Sequence, residues 1–283
     1  MDRSGPGRVA VIGDLAGHLA ELTRELRLLG ADERTGRLPD DLQVVQVGDL
    51  VHRGPDPEGV VALVDRYLRD QPGQWVQLAG NHEAQYLREP VFTWPERIAD
   101  TAVDTLRRWW STGRMRVAAA VHTPGEDFLV THAGLTQDYW QEALGSPARA
   151  DEAAAALNSF IGTHDDVLFH AGQMLGGGAP DPAAGPLWAA AAAELAPGWL
   201  GGSGGPVSPV PFSQIHGHSG VVDWRRRTLV CSPAVAEHVT VDLDAAHESI
   251  AVPGGRLVGV DPGHGRRPHR PWRAFVLHDA TVR

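Results

Sequence analysis

Three short apolar runs near the amino terminus each end on residues able to bind a metal ion or move a proton. Arg8 to Asp14 reads RVAVIGD, Val44 to Asp56 reads VVQVGDLVHRGPD, and Trp75 to Glu83 reads WVQLAGNHE. Apolar runs closed by glycine read as buried strands that hand a polar residue to a turn. In an open α/β sheet, ligands sit beyond the carboxyl ends of the strands, so this arrangement aims Asp14, Asp49, Asn81 and His82 at one crevice. Phe128 to Gly134 (FLVTHAG) and Ser213 to Ser219 (SQIHGHS) add His132 and His218 at further strand ends. Neutral imidazole is the commonest nitrogen donor to divalent metals. A single aspartate after a glycine is an ordinary turn residue; its recurrence alongside imidazoles is the signal.

The order Asp, Gly-Asp-x-x-x-Arg-Gly, Gly-Asn-His-Glu, His-x-Gly, Gly-His resembles the calcineurin-like metallophosphoesterases, in particular the phosphoprotein-phosphatase branch with its bacterial serine/threonine phosphatases and diadenosine-tetraphosphatase-like relatives. The resemblance runs from Val9 to Ser219, with Gly259 to Gly263 a candidate extension. It implies an α/β fold of two packed mixed sheets flanked by helices. It also implies a hydrolase in which two divalent ions, about 3.5 to 4 Å apart, activate water against a phosphoryl group. By motif match Asp49 bridges the ions, Asp14 belongs to the first, and Asn81, His132 and His218 belong to the second. Arg53 matches the phosphate-gripping arginine, whose planar fork holds two oxygens at once. His82 matches the proton donor to the leaving oxygen. Arg53, Asn81 and His82 together are then the phosphate contacts. Mixed oxygen and nitrogen donors suit manganese, with iron, zinc and magnesium as alternatives.

Three positions depart from the pattern. Ala16 stands where the first motif carries a metal-binding histidine; His18 and His216 are the candidate substitutes, and hydrogen bonding to a ligand is the other role open to His216. His52 stands where an aspartate would orient the histidine matched by His82. Ala190, two residues after Trp188, stands where bacterial members often carry an arginine, leaving Arg114, Arg116 or the run Arg225 to Arg227 as replacements. These departures keep a second function in view: a metal-binding pseudo-phosphatase that recognises a phosphorylated partner without turnover.

The elements needed to position these residues are legible. Leu19 to Leu29 has helical spacing and stops at Gly30, while Pro57 to Arg69 follows a candidate N-cap, Asp56. Glu83 to Arg88 begins a short helix whose amino end faces the crevice. Met115 to Val121 and Phe128 to Thr131 read as a hairpin; Asp138 to Leu144 and Asp151 to Ile161 read as helices. The insertions are expected at about 90–113, with Trp109 and Trp110 as packing residues, and at about 176–211, with a helical piece from Leu187 to Leu195. Gln214 to Gly217, Thr228 to Cys231, Val239 to Asp242, Ser249 to Val252, Leu257 to Val260 and Arg273 to Leu277 read as strands of a second sheet.

With 283 residues, 42% hydrophobic and 21% charged, and motifs spread from Asp14 to His218, the chain reads as one metallophosphoesterase domain over 1–283. A net charge of −10 argues against a nucleic-acid polymer as partner; the expected partner is a phosphorylated protein or small molecule. All 25 basic residues are arginine, which points to a GC-rich bacterial source. Cys231 is the lone cysteine and reads as a core residue. No run reaches the roughly 20 apolar residues of a membrane span, and with no leader pattern the expectation is a cytoplasmic protein.

Overall fold

Parallel strands covered on both faces read as continuous apolar runs, and three such runs form the first half of the fold. The computed structural model describes residues 7–91, 94–202, 207–265 and 271–283. Apart from short helical turns between Tyr139 and Trp199 and at Pro233–Ala236, the elements in chain order are β1 (Gly7–Ile12), α1 (Leu19–Leu28), β2 (Leu42–Gln46), α2 (Pro57–Asp70), β3 (Trp75–Leu78), α3 (Asn81–Leu87), α4 (Asp100–Ser111), β4 (Met115–Arg116), β5 (Ala118–His122), β6 (Asp127–Thr131), α5 (Ala150–Ser159), β7 (Ser213–His216), the hairpin β8 (Val222–Asp223) and β9 (Thr228–Leu229), β10 (Val239–Asp242), β11 (His247–Val252), β12 (Gly255–Gly259) and β13 (Phe275–Val282).

The large mixed sheet runs β10-β11-β12-β7-β6-β5-β13-β1-β2-β3-β4. Strands β1 to β4 are mutually parallel, as are β6, β7 and β12. The terminal strand β13 joins the halves, antiparallel to β1 through Val9↔Leu277 and to β5 through Thr281↔His122. Val9, Val11, Val45, Val47 and Leu78 from one half pack with Ala119, Val121, Phe128, Val130, Ile215 and Val258 from the other. The two halves are therefore faced layers sharing one dry interior, the α/β sandwich expected from the motif order. On the outer faces, Leu22, Leu26, Val60, Val64, Leu106 and Trp109 of the helices cover the first half, and Ala153 and Leu157 of α5 lie over the second.

Local chemistry explains the element starts. Asp56 caps α2 by accepting from the Gly59 amide at 2.8 Å, with Pro57 in the first turn. Trp109 is fully buried, its indole N–H donating to Asp65 at 2.8 Å, so it is a packing residue.

Several expected boundaries shift. The stretch read as one strand from Met115 to Val121 divides: β4 joins β3 in parallel, and β5 pairs with β6. The helix expected over Leu187 to Leu195 is a π-helical turn at Ala191–Leu195 followed by a helical turn at Ala196–Trp199. There the Glu194 carboxylate accepts from the amides of Gln173, Asp181 and Ala190, tying two parts of the second insertion to the segment just before it. Thr228 to Cys231 contributes only two residues to a separate hairpin, and the last strand extends to Val282 because β1 and β5 pair with its two edges. Within the expected insertions, residues 92–93 and 203–206 lie outside the described residues.

Candidate metal centre

The loop after β2 is built around Gly48 and Asp49. Gly48 has φ +109°, and a Cβ there would lie 2.4 Å from the Gly80 nitrogen, so only glycine lets the β2 and β3 loops touch. Asp49 itself has φ +54°, and left-handed backbone recurs at Ala16, His52, Arg53 and His218. Strained residues gathered at one place are characteristic of functional sites. The buried Glu83 holds the loops together: it accepts from the amides of Asp49 (2.8 Å), Leu50 (2.9 Å) and Gly80 (2.9 Å). Burial, followed by the Asp49 charge, pushes its carboxyl up to about 8 against the pull of those amides.

Asp49, Asn81, His132 and His218 come together. One ligating atom each of Asp49, His132 and His218 lies within 4.8 Å of the others. The Nδ1 of His132 is 3.0 Å from the Val47 carbonyl oxygen, which places the proton on Nδ1 and leaves a lone pair on Nε2. That Nε2 faces the Asn81 Oδ1 at 3.0 Å and Asp49 Oδ1 at 3.5 Å, and the His218 Nδ1 lies 3.0 Å from the same Asn81 oxygen. Burial lowers the pKa of both imidazoles, favouring the neutral rings that ligate. The His132 lone pair facing the oxygens of Asn81 and Asp49 in a buried place calls for a cation, so the donor set fits a divalent metal. For Asp49 burial opposes ionisation, yet His82, His132, His218 and the His82 amide outweigh it and hold the carboxyl below its usual range.

His82 sits in the first turn of α3. Its amide donates to Asp49 Oδ1 at 3.0 Å, and its Nε2 lies 3.6 Å from Asp49 Oδ2. Its Nδ1 is 3.0 Å from the Val51 carbonyl and 3.3 Å from the Nδ1 of His52, whose Nε2 meets the Tyr86 hydroxyl at 2.6 Å. Val51 thus supplies the tautomer-fixing acceptor that the sequence had assigned to a missing aspartate. Burial, then His82, depresses His52 to about 4, so it is a neutral neighbour. The Trp94 ring stacks on His52 with centroids 5.0 Å apart and lies 4.3 Å from that of His82, with the Arg53 guanidinium 5.7 Å from its centre. Tyr86 and Trp94 carry no motif, so sequence reasoning passes over both.

The other candidates have different surroundings. Asp14 is buried and accepts from the His218 amide at 3.0 Å. Burial, then the charges of Asp261 and Asp49, raises its carboxyl well above the usual range, with the His218 amide and Arg53 opposing. His18 precedes α1, with Nε2 3.0 Å from the Gly265 carbonyl and its ring against His264. His216 closes β7 and points its Nδ1 at the Gly217 carbonyl (3.0 Å); its buried Nε2 has no partner. Because β7 ends at His216 and His218 has φ +64°, the two histidines do not lie on one strand face. Arg114 and Arg116 are exposed, and Arg225 to Arg227 occupy the exposed turn between β8 and β9. Ala190 donates its amide to Glu194.

The family model described as calcineurin-like phosphoesterase matches residues 7–154. A cold-active protein-tyrosine phosphatase of a psychrophile, Shewanella sp., is 15% identical with a TM-score of 0.54, over 97% of this chain and 76% of that one. A metallophosphoesterase from Sphaerobacter thermophilus is 18% identical with a TM-score of 0.29, over 46% of this chain and 47% of that one. A protein serine/threonine phosphatase from Saccharomyces cerevisiae is 19% identical with a TM-score of 0.36; the match takes in 49% of this chain and spans 41% of the yeast chain. At these identities the likeness to the Shewanella protein concerns the fold.

Proposed function

The chain belongs to the calcineurin-like phosphoesterase family, and from that premise we propose that it hydrolyses phosphate esters at a dinuclear metal centre. The observation that carries this reading is the meeting of Asp49, Asn81, His132 and His218 beside His82 and Arg53. Bound divalent ions, manganese by the donor set, would supply a hydroxide nucleophile and neutralise phosphoryl oxygens.

The protein's own groups do the rest. Arg53 reaches the site with one guanidinium nitrogen 3.4 Å from the His264 carbonyl, leaving the rest of its fork for phosphoryl oxygens. The Val51 carbonyl holds the Nδ1–H of His82, so the doubly protonated ring is the form that donates from Nε2 to a leaving oxygen. Burial disfavours that form and the Asp49 charge favours it.

The substrate is a phosphorylated protein or a small phosphate ester such as a nucleotide. The cytoplasm is the proposed compartment; no helix among the described residues is long and apolar enough to cross a membrane.

The test is p-nitrophenyl phosphate hydrolysis with added manganese, comparing wild type with Asp49→Asn. Hydrolysis by the wild type and a loss of at least about tenfold in the folded variant support the reading. A wild type that binds manganese and a phosphopeptide without turnover would instead establish the pseudo-phosphatase.

A further inference from the structure

The first metal position lacks the imidazole that Ala16 replaces, and the chain brings a different donor to that place. Strand β12 runs parallel to β7 with Gly259 opposite His216, and the Val260 amide donates to the His216 carbonyl at 2.8 Å. Asp261 therefore emerges from the sheet level with His218, at the same carboxyl edge. A Cβ on Gly13 would lie 1.9 Å from the Val260 carbonyl oxygen and 3.2 Å from Pro262, so the Val260 to Pro262 backbone passes directly over the residue before Asp14. Two hydrogen bonds fix Asp261 there: its Oδ1 accepts from the Gly263 amide at 2.7 Å, and its carbonyl accepts from the Trp224 indole at 2.9 Å.

We propose that Asp261 takes the place of the missing imidazole and, with Asp14 and Asp49, forms an all-oxygen site for the first divalent cation. This rests on the dinuclear reading above. Asp14 is held at the same edge by the His218 amide, which donates to its Oδ1 at 3.0 Å, and the Arg53 guanidinium reaches the His264 carbonyl, three residues beyond Asp261, at 3.4 Å. Three carboxylates offer only oxygen donors, the set that a hard divalent ion accepts. His18 is a poorer donor because its Nε2 is taken up by Gly265. An all-carboxylate site favours hard ions that retain water, magnesium or manganese, while the histidine-bearing site favours softer ones.

The test is calorimetric titration of the metal-stripped full chain with manganese(II) alone, for wild type, Asp261→Asn and His18→Ala. The expected result is two ions in the wild type, with the weaker site lost or weakened at least about tenfold in Asp261→Asn, and both affinities within about twofold of wild type in His18→Ala. Two ions bound with wild-type affinities by folded Asp261→Asn, or loss of the weaker site in His18→Ala, overturns the role of Asp261 and leaves the dinuclear reading standing. A single ion in the wild type overturns both. Should Asp261→Asn fail to fold, cadmium-113 resonance of the wild type decides: one signal in the oxygen-only range supports the proposal, and two signals shifted by nitrogen ligation refute it.

Discussion

The Nδ1 of His82 lies 3.0 Å from the carbonyl oxygen of Val51. A main-chain acceptor in the loop after Asp49 therefore orients the candidate proton donor, whatever side chain stands at position 52. His82→Asn is expected to lower turnover roughly 10² to 10⁴-fold on alkyl phosphates and far less on p-nitrophenyl phosphate, whose leaving oxygen needs little protonation. His52→Phe keeps the Val51 acceptor and the stack on Trp94, so its loss on alkyl phosphates should stay under about tenfold, well below the general-acid range. Equal losses for His82→Asn on both substrates would remove His82 from the proton-donor role, and a large loss for His52→Phe would move the orienting role to His52.

Glu83 is the tie between the two site loops, and removing it strands three amides. Each buried unsatisfied donor costs about 1–3 kcal/mol, so Glu83→Ala should destabilise the fold by more than about 3 kcal/mol in urea unfolding. The variant should also lose metal affinity, because Asp49 and Asn81 are carried on the loops that separate. A change under about 1 kcal/mol would show that water replaces the carboxylate at no cost.

Much of the candidate site was legible because each of its residues follows an apolar run. Asp14, Asp49, Asn81, His132 and His218 are all delivered by a strand end, and strand ends can be read from apolar residues and glycine. Asp261 also follows a strand, but its significance depends on β12 lying beside β7, a pairing across about forty residues that no local pattern announces. Trp94 was illegible for a related reason: it reaches His82 and His52 from a loop with no periodicity. In the second insertion the sequence suggested an ordinary helix over Leu187 to Leu195, where the chain instead forms a π-helical turn whose Glu194 carboxylate accepts from three amides outside that turn. The division of Met115 to Val121 was hidden because both pieces are strand-like and only tertiary pairing separates them.

His247, at the start of β11 and far along the chain from the site motifs, gives a pH test free of metal chemistry. Burial lowers its pKa below the usual 6.5, while its Nε2 at 2.8 Å from the Arg273 carbonyl, and the charges of Asp242 and Glu25, oppose the shift. With the folded value depressed, the folded state takes up its proton later than the unfolded chain. The stability it contributes is complete above pH 6.5 and falls as the pH drops below that value. His247→Gln should therefore flatten the unfolding free energy below pH 6.5, by at most about 1.4 kcal/mol per pH unit, the limit for one proton. Parallel pH profiles for wild type and variant would show that His247 titrates normally.

Asp14 should display the opposite balance between stability and ligation. Its carboxylate is buried against Asp49 and Asp261, so without metal its ionised form is unfavourable in the fold. Asparagine keeps an oxygen to accept from the His218 amide while removing the charge. In excess chelator, Asp14→Asn should melt at a higher temperature than wild type. With manganese the order should reverse: an ion at a hundred times its dissociation constant adds about 2.7 kcal/mol to the wild type, and a variant lacking one of the carboxylates should gain much less. Differential scanning calorimetry of both proteins, with chelator and with manganese, reads both halves. If Asp14→Asn melts below wild type in chelator, the carboxylate repulsion is already relieved without metal, by Arg53. If manganese raises both melting temperatures equally, Asp14 is not among the groups that hold the ion.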